Sequence, residues 1–330
     1  MRSIGIIGGG ITGLTAAHHL RKAGFSVTLY EASPRTGGVI CSHRDGECLA
    51  EGGPNTILET APEIAALVEE LGLAPRRHYS SPDASARYVV RNAAAVQLPA
   101  SPIQFFLAPF FSWNAKFSLL CEPFRPRRRE TTEESVAEFV QRRLGREFLE
   151  YGIDPLVTGI YAGDPAQLSV EHAFPRIHAL EARYGSLIRG QFFGARERKK
   201  RGDVAKDRAR KFSFDDGLQV LPDTLAQRNA DSLQLHTRVT RATRTGTSWT
   251  LHLERTPGTG SRPVQAQHDV VLFCGTAHSL ARLELDAPDV PSLAPLAEVH
   301  CPPVTSVVLG FRRSEVSHPC SGFGVLIPHR

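Results

Sequence analysis

Ile4-Gly5-Ile6-Ile7-Gly8-Gly9-Gly10-Ile11-Thr12-Gly13 is the stretch on which the fold turns. The first four residues read as a short apolar strand, the glycines follow in G-x-G-x-x-G spacing, and Leu14 to Ala23 reads as a helix stopped by Gly24. Phe25 to Tyr30 is the next strand, and Glu31 stands at its end. Strand, glycine turn, helix and strand within about thirty residues make one βαβ unit, the smallest piece of a doubly wound parallel sheet.

Each glycine has a separate physical task. Gly8 permits the tight turn, Gly10 lets backbone approach a pyrophosphate, and Gly13 lets the helix pack close to the strand. The backbone N–H groups at the helix start then face the phosphates, with the helix dipole behind them. Glu31 can accept hydrogen bonds from both hydroxyls of a ribose and would repel a 2′-phosphate. A glycine-rich turn can also be purely structural. Here strand, helix and acid all stand at the right spacing, and the segment reads as a dinucleotide site.

Working outward, Thr60-Ala61-Pro62-Glu63 has capping-box spacing, and Ile64, Leu67, Val68 and Leu71 repeat at helical intervals before Gly72. A second box, Thr131 to Glu134, is expected to open a helix whose buried stripe is Val136, Phe139, Val140 and Leu144, with Gly145 to kink or end it. Residues 196–211 read as an exposed loop, and Asp215-Asp216-Gly217-Leu218 introduces a helix ending near Arg228. Leu233 to Thr240 and Ser248 to Glu254 alternate as half-exposed antiparallel strands do. Asp269 to Cys274 is a continuous apolar run expected to be buried on both faces and to return to the first sheet. The expected organisation is a discontinuous nucleotide domain, 1–84 and 211–290, interrupted by a mostly helical domain at 85–210 and followed by the start of a further sheet at 291–330.

The bulk numbers set limits. At 330 residues the chain can bury a core without staples, and 41% apolar and 22% charged residues are ordinary for a globular protein. Six cysteines show neither a CxxC pair nor zinc spacing, and read as free thiols. Four glycines between positions 5 and 10 break any signal-peptide core, and no apolar run is long enough to span a bilayer. The formal charge of +5 is concentrated in Arg125-Pro126-Arg127-Arg128-Arg129 and in residues 196–211, with nine basic and three acidic residues. Leu98 to Phe124, rich in Phe, Leu and Pro and holding Trp113, runs into the first cluster. Two readings stay open for it: a membrane-interface surface, or a partly buried helical subdomain with a solvated basic edge. There is no GxSxG, HExxH or GxxxxGK[ST] motif, and His18-His19 reads as surface or packing.

Beyond Glu31, the run Ala32-Ser33-Pro34-Arg35-Thr36-Gly37-Gly38 resembles the acid, basic residue and double glycine of the FAD-dependent amine oxidase and desaturase superfamily. Gly52-Gly53-Pro54-Asn55-Thr56 looks like the segment that lies against the flavin in protoporphyrinogen oxidases. Asp154-Pro155-Leu156-Val157-Thr158-Gly159-Ile160-Tyr161-Ala162-Gly163-Asp164-Pro165 is similar to that family's most recognisable string. Tyr184 to Gly190 and Phe212 to Leu221 fall in family order.

The resemblance implies a Rossmann-like FAD-binding domain with an antiparallel β-meander, and an inserted domain meeting substrate and membrane. It implies that Gly8, Gly9, Gly10, Ile11, Thr12 and Gly13 hold the pyrophosphate, that Glu31 and Ala32 meet the ribose, and that Gly38 and Val39 approach the cofactor. Gly53, Pro54, Asn55 and Thr56 would lie near the flavin, and Val239 near the adenine. Hydride passes to the flavin, so no protein residue is assigned as catalytic and no metal is expected. The implied substrate is protoporphyrinogen IX, with dioxygen as acceptor. Coproporphyrinogen III oxidation, another flavin amine oxidase and an inactive FAD-binding chain stand as alternatives. A homodimer, membrane contact through 98–129, a cytoplasmic location at the inner face of the cell membrane and no nucleic-acid partner complete the expectation. Two departures accompany it. Leu98-Pro99-Ala100-Ser101-Pro102-Ile103-Gln104 lacks the family's arginine for a propionate, and the chain is expected to be truncated at its C-terminus relative to the family.

Overall fold

The computed structural model describes residues 1–81, 86–99, 101–128, 132–193, 209–255, 264–317 and 322–328. The chain divides into two compact units: Met1–Ser80 with Lys206–Cys301 and Thr305–Gly310, and Ser81–Ala205 with Pro302–Val304 and Phe311–Arg330. The expected limits at 84/85 and 210/211 fall a few residues later than these, and the stretch up to Cys301 stays with the first unit rather than starting a further sheet at 291.

In the first unit, β1 (Ser3–Ile7), α1 (Ile11–Lys22) and β2 (Ser26–Tyr30) form the βαβ unit. A four-stranded parallel sheet runs in the order Leu233–Gln234, β2, β1, Val270–Phe273, with Ile4 opposite Val270 and Ile7 opposite Phe273. Ile4, Ile6, Val27 and Leu29 of the sheet pack with Leu14 and Ala17 of α1, Val68 of the helix Pro62–Glu70, and Leu221 and Leu225 of the helix Val220–Arg228. Full burial of each large aliphatic side chain contributes roughly 1.5–3 kcal/mol, so this layer is the main source of the unit's stability. His18 accepts the packing role expected of it. With Lys22 it contacts Glu70, and the Lys22 and His18 hydrogen bonds hold that carboxyl down at about 2.

Four expectations about elements change. Leu233–Thr240 is not one strand: His236, at φ 53°, turns the chain so that Leu233–Gln234 joins the parallel sheet. Thr237–Thr245 then begins a second sheet with Ser248–Arg255, Val264–His268 and Glu284–Asp286. The first three of these strands are the antiparallel meander, and Glu284–Asp286 runs parallel to Thr237–Thr245. Val270–Phe273 returns to the first sheet but at its edge, with Val270 43% and Leu272 37% exposed. An apolar run reads the same at an edge as in the middle of a sheet. Thr60 does not cap: the helix starts after an extended Ala61 with Pro62 in its first turn, where a missing N–H costs nothing. The second capping box lies four residues on, with Ser135 and Glu138 exchanging hydrogen bonds at the start of Val136–Arg143. Thr131 lies outside the described residues, as do most of residues 196–211. Gly145, at φ +98°, ends the helix.

The second unit is less purely helical than expected. It holds a three-stranded sheet in the order Gly322–Leu326, Ala86–Arg91, Ala94–Gln97. Its helical part packs Val136, Phe139, Val140, Val157 and Val170 together, and a second cluster joins Val89, Phe110, Phe111 and Ala115. Between the helices lies a charged ladder. Glu122 pairs with Arg143, both fully buried, while Arg142 bridges Glu134 and Glu181. The expected string 154–165 forms the helix Asp154–Tyr161, closed by Ala162 in the left-handed conformation.

Candidate functional site

At the carboxyl end of β1 the chain turns through Gly8, whose φ of +111° excludes a side chain and whose N–H donates to the Tyr30 carbonyl at 2.9 Å. A Cβ on Gly13 would overlap the Gly8 carbonyl oxygen, so only glycine lets α1 start this close to the strand. Gly10 differs from both. It is the extended N-cap of α1 with no side chain to cap, and a Cβ there would meet nothing within 4 Å. The space beside Gly10 and the uncapped first turn of a 12-residue helix fit a diphosphate.

Glu31 lies beside this turn. One carboxylate oxygen accepts the Gly9 N–H at 2.6 Å and the other the Ser33 N–H at 2.8 Å. The carboxyl therefore braces the loop as well as standing where a ribose would be expected. Each oxygen retains a lone pair for a hydroxyl donor. Its backbone is held from the other side: the Glu31 N–H donates to Gln234 and the Thr237 N–H to Glu31, which sets the start of the strand carrying Val239 beside Glu31 and Ala32.

The double glycine closes the loop from above. Gly37 donates to the Gly9 carbonyl at 2.9 Å and forms a bridge with Gly10, and a Cβ on Gly38 would lie 3.3 Å from the Gly10 Cα. Arg35 fixes this turn by donating to the carbonyls of Ile40 at 2.9 Å and Gly38 at 2.7 Å. The next step reaches Gly53, where a Cβ would overlap the Val39 carbonyl oxygen. Pro54, Asn55 and Thr56 follow, exposed. Every residue picked out for the cofactor thus belongs to one unit. Gly8 to Gly13, Glu31, Gly37 to Val39 and Gly53 form a joined strip of backbone.

Three neighbours carried no motif of their own. Cys274 abuts the loop from the end of Val270–Phe273, with its backbone 3.1 Å from the Cβ position of Gly8, and burial pushes its thiol pKa up. Strand ends at the carboxyl edge of a parallel sheet are where ligands bind, and that rule would have pointed to it. His268, buried, receives or gives hydrogen bonds of 2.8 Å with Ser3 Oγ and Tyr30 Oη behind the loop. Burial lowers its pKa, partly opposed by Asp269, and burial likewise raises that of Tyr30 against a hydrogen bond from Thr28.

Fold and site together define an α/β dinucleotide-binding protein. The chain belongs to the flavin-containing amine oxidoreductase family, whose model matches residues 11–322, and its cofactor is FAD. It is 32% identical over 349 residues to protoporphyrinogen oxidase 2 of Arabidopsis thaliana, covering 100% of this chain and 68% of that protein. It is 30% identical over 342 residues to coproporphyrinogen III oxidase of Bacillus subtilis, covering 98% of this chain and 69% of that protein. A crystal structure from Exiguobacterium sp. 255-15, provisionally assigned as a protoporphyrinogen oxidase, superposes with a TM-score of 0.66 at 24% identity. That match covers 90% of this chain and 63% of the other. The chain therefore spans about two thirds of the length of the proteins it resembles.

Proposed function

We propose that the chain acts as an FAD-dependent oxidase of porphyrinogens, taking protoporphyrinogen IX to protoporphyrin IX with dioxygen as acceptor. The observation that carries this reading is the unbroken strip from Glu31 through Gly9, Gly10 and Gly38 to Gly53, in a chain aligned over its whole length with protoporphyrinogen oxidases. Gly8 to Gly13 would hold the diphosphate, Glu31 and Ala32 the ribose, Val239 the adenine side, and Gly38, Val39 and Gly53 to Thr56 the flavin half. When bound, the isoalloxazine supplies hydride acceptance, and the residues of this chain bind and orient it. Coproporphyrinogen III is the second substrate reading, favoured by the match to the Bacillus subtilis protein.

The two helices Pro102–Leu107 and Trp113–Leu120 present Ile103, Leu107, Phe117 and Leu120 to solvent, with Trp113 76% and Phe124 82% exposed. Arg127 follows, exposed, while Arg125 is bonded to Ser118 and Arg128 is paired with Glu134. No helix among the described residues is long and apolar enough to cross a membrane. This surface suits docking onto an anionic lipid face by apolar contact and charge.

The decisive preparation is the whole chain loaded with FAD. The expected result is a yellow protein that protoporphyrinogen bleaches without air and air restores, with coproporphyrinogen tested in parallel to rank the two substrates. A chain that takes up no FAD, or bound flavin that neither porphyrinogen reduces, sinks the proposal. Sedimentation with anionic vesicles tests the lipid face.

A further inference from the structure

Glu51 ends the strand Cys48–Glu51 and directly precedes Gly52-Gly53-Pro54-Asn55-Thr56. Its carboxylate is a half-buried junction. One oxygen accepts the Ser42 hydroxyl at 2.7 Å, the other accepts the Leu218 N–H at 2.8 Å, and Ser42 Oγ accepts the Gln219 N–H at 3.0 Å. Leu218 and Gln219 lead into the helix Val220–Arg228, so the charge faces the positive end of a nine-residue helix. Among the described residues no cation pairs with Glu51.

The surrounding backbone is shaped to this contact. Gly217 has φ +82°, and a Cβ there would lie 2.5 Å from Ser42 Oγ and 2.7 Å from Glu51 Oε1. Just beyond Glu51, the Gly52 N–H donates to the Cys41 carbonyl at 2.7 Å, and Gly53 presses on the Val39 carbonyl. One carboxylate thus ties the hairpin of 42–51, from which the exposed segment 52–56 continues directly, to the turn at 217–219, far away in sequence. A charged acceptor with two donors is among the stronger hydrogen-bonded arrangements, and it is placed at the root of that segment.

We infer that Glu51 is a positioning residue for the flavin half of the cofactor, fixing the backbone of residues 52–56 while the ADP half is held independently by the glycine turn and Glu31. The inference rests on the reading that residues 53–56 meet the isoalloxazine. It separates the two halves of one ligand, which makes it testable without turnover.

The experiment measures FAD and ADP binding to the whole apoprotein, wild type and variants, by calorimetry. Glu51→Ala is expected to weaken FAD at least tenfold and to change ADP affinity by less than twofold. Glu51→Gln, which keeps one acceptor and the side-chain shape, should recover part of the FAD loss. Where Glu51→Ala does not fold, Glu51→Gln and Ser42→Ala carry the same comparison. Equal losses of FAD and ADP affinity would make Glu51 a general support and overturn the inference, as would unchanged FAD binding. A wild-type chain that binds ADP and FAD equally weakly overturns instead the placement of residues 53–56 at the flavin, and the inference with it.

Discussion

Around β1 and α1 the buried polar side chains are uncharged residue types: Thr36, Asn229, Ser232, Thr237 and a neutral His268. In the second unit they are Lys116, Glu122, Glu134, Arg143, Asp154, Glu181 and Ser186, all but one carrying ionisable groups. The first unit is built from apolar layers and from backbone that approaches backbone, with glycine wherever a Cβ would collide. The second is held around a ladder of paired charges whose partners lie up to 39 residues apart, as from Arg142 to Glu181. A glycine-controlled loop needs few side chains and tolerates little volume. A buried charge ladder tolerates little loss of partner.

The largest effect should come from that ladder. Glu122 accepts from Ser186 Oγ at 2.6 Å and from the Leu187 N–H at 2.9 Å and pairs with Arg143. Glu122→Ala leaves the buried Arg143 charge with only the more distant Glu181 carboxylate at 3.6 Å and is expected to destabilise by about 3–5 kcal/mol, read by denaturant unfolding. Replacing both members with apolar residues of similar volume should recover most of that loss. If the double variant is as unstable as the single one, the ladder is not the organising element of the second unit.

The matching test in the first unit is volume. Gly13→Ala should cost roughly 1–3 kcal/mol, because α1 must shift off the Gly8 carbonyl. Gly10→Val should leave the melting temperature nearly unchanged, since its side chain enters open space, yet abolish FAD uptake by filling the place of the diphosphate. Melting curves of the apoprotein and flavin titration separate the two outcomes.

These contrasts also explain what was legible in the sequence. The βαβ unit, the glycine turn with Glu31 beside it and the stripe Val136-Phe139-Val140 could be read because each rests on local spacing and on the requirement for a particular residue type. The ladder could not, since nothing near Glu122 in sequence announces Arg143 or Ser186. The same holds for Glu51, which reads as an ordinary strand-end acid until Gly217 is folded against it. The misplaced capping boxes show another limit. Thr60 and Thr131 have the right neighbours at the right spacing, and the backbone began its helices elsewhere.

Acid should distinguish the units by the order in which they weaken. His268 is held below its ordinary pKa by burial, so the unfolded chain takes up this proton first. Its contribution fades as pH falls below about 6.5, and the loss is complete at the lower folded value. For Glu122 and Glu181, burial alone would raise the pKa. The Ser186 hydroxyl, the Leu187 and Ile188 amides and Arg143 outweigh it for Glu122, and Arg142 and Arg143 do so for Glu181, leaving both low. Their stabilisation is present above the unfolded value of about 4.3 and is lost as pH falls through the lower folded values. Hydrogen exchange across a pH series should therefore show β1 and β2 losing protection before the helix Val136–Arg143. His268→Phe should remove the step near neutrality and leave the acid one.

The smallest effect tests how each unit starts its helices. Ser135 accepts the Glu138 N–H at 3.2 Å and Glu138 returns the bond to the Ser135 N–H at 2.9 Å, so Ser135→Ala should cost about 1 kcal/mol. Thr60 precedes an Ala61 N-cap with no side-chain cap bond, and Pro62 already supplies the first helical turn without an N–H to satisfy. Thr60→Ala should therefore change stability by no more than a few tenths of a kcal/mol, roughly the scatter of an exposed substitution. Chemical denaturation of the two single variants and the double one checks both values and their additivity. A cost at Thr60 equal to that at Ser135 would mean that the first unit also relies on side-chain capping, and would erase this part of the distinction between a unit built on backbone geometry and one built on polar side chains.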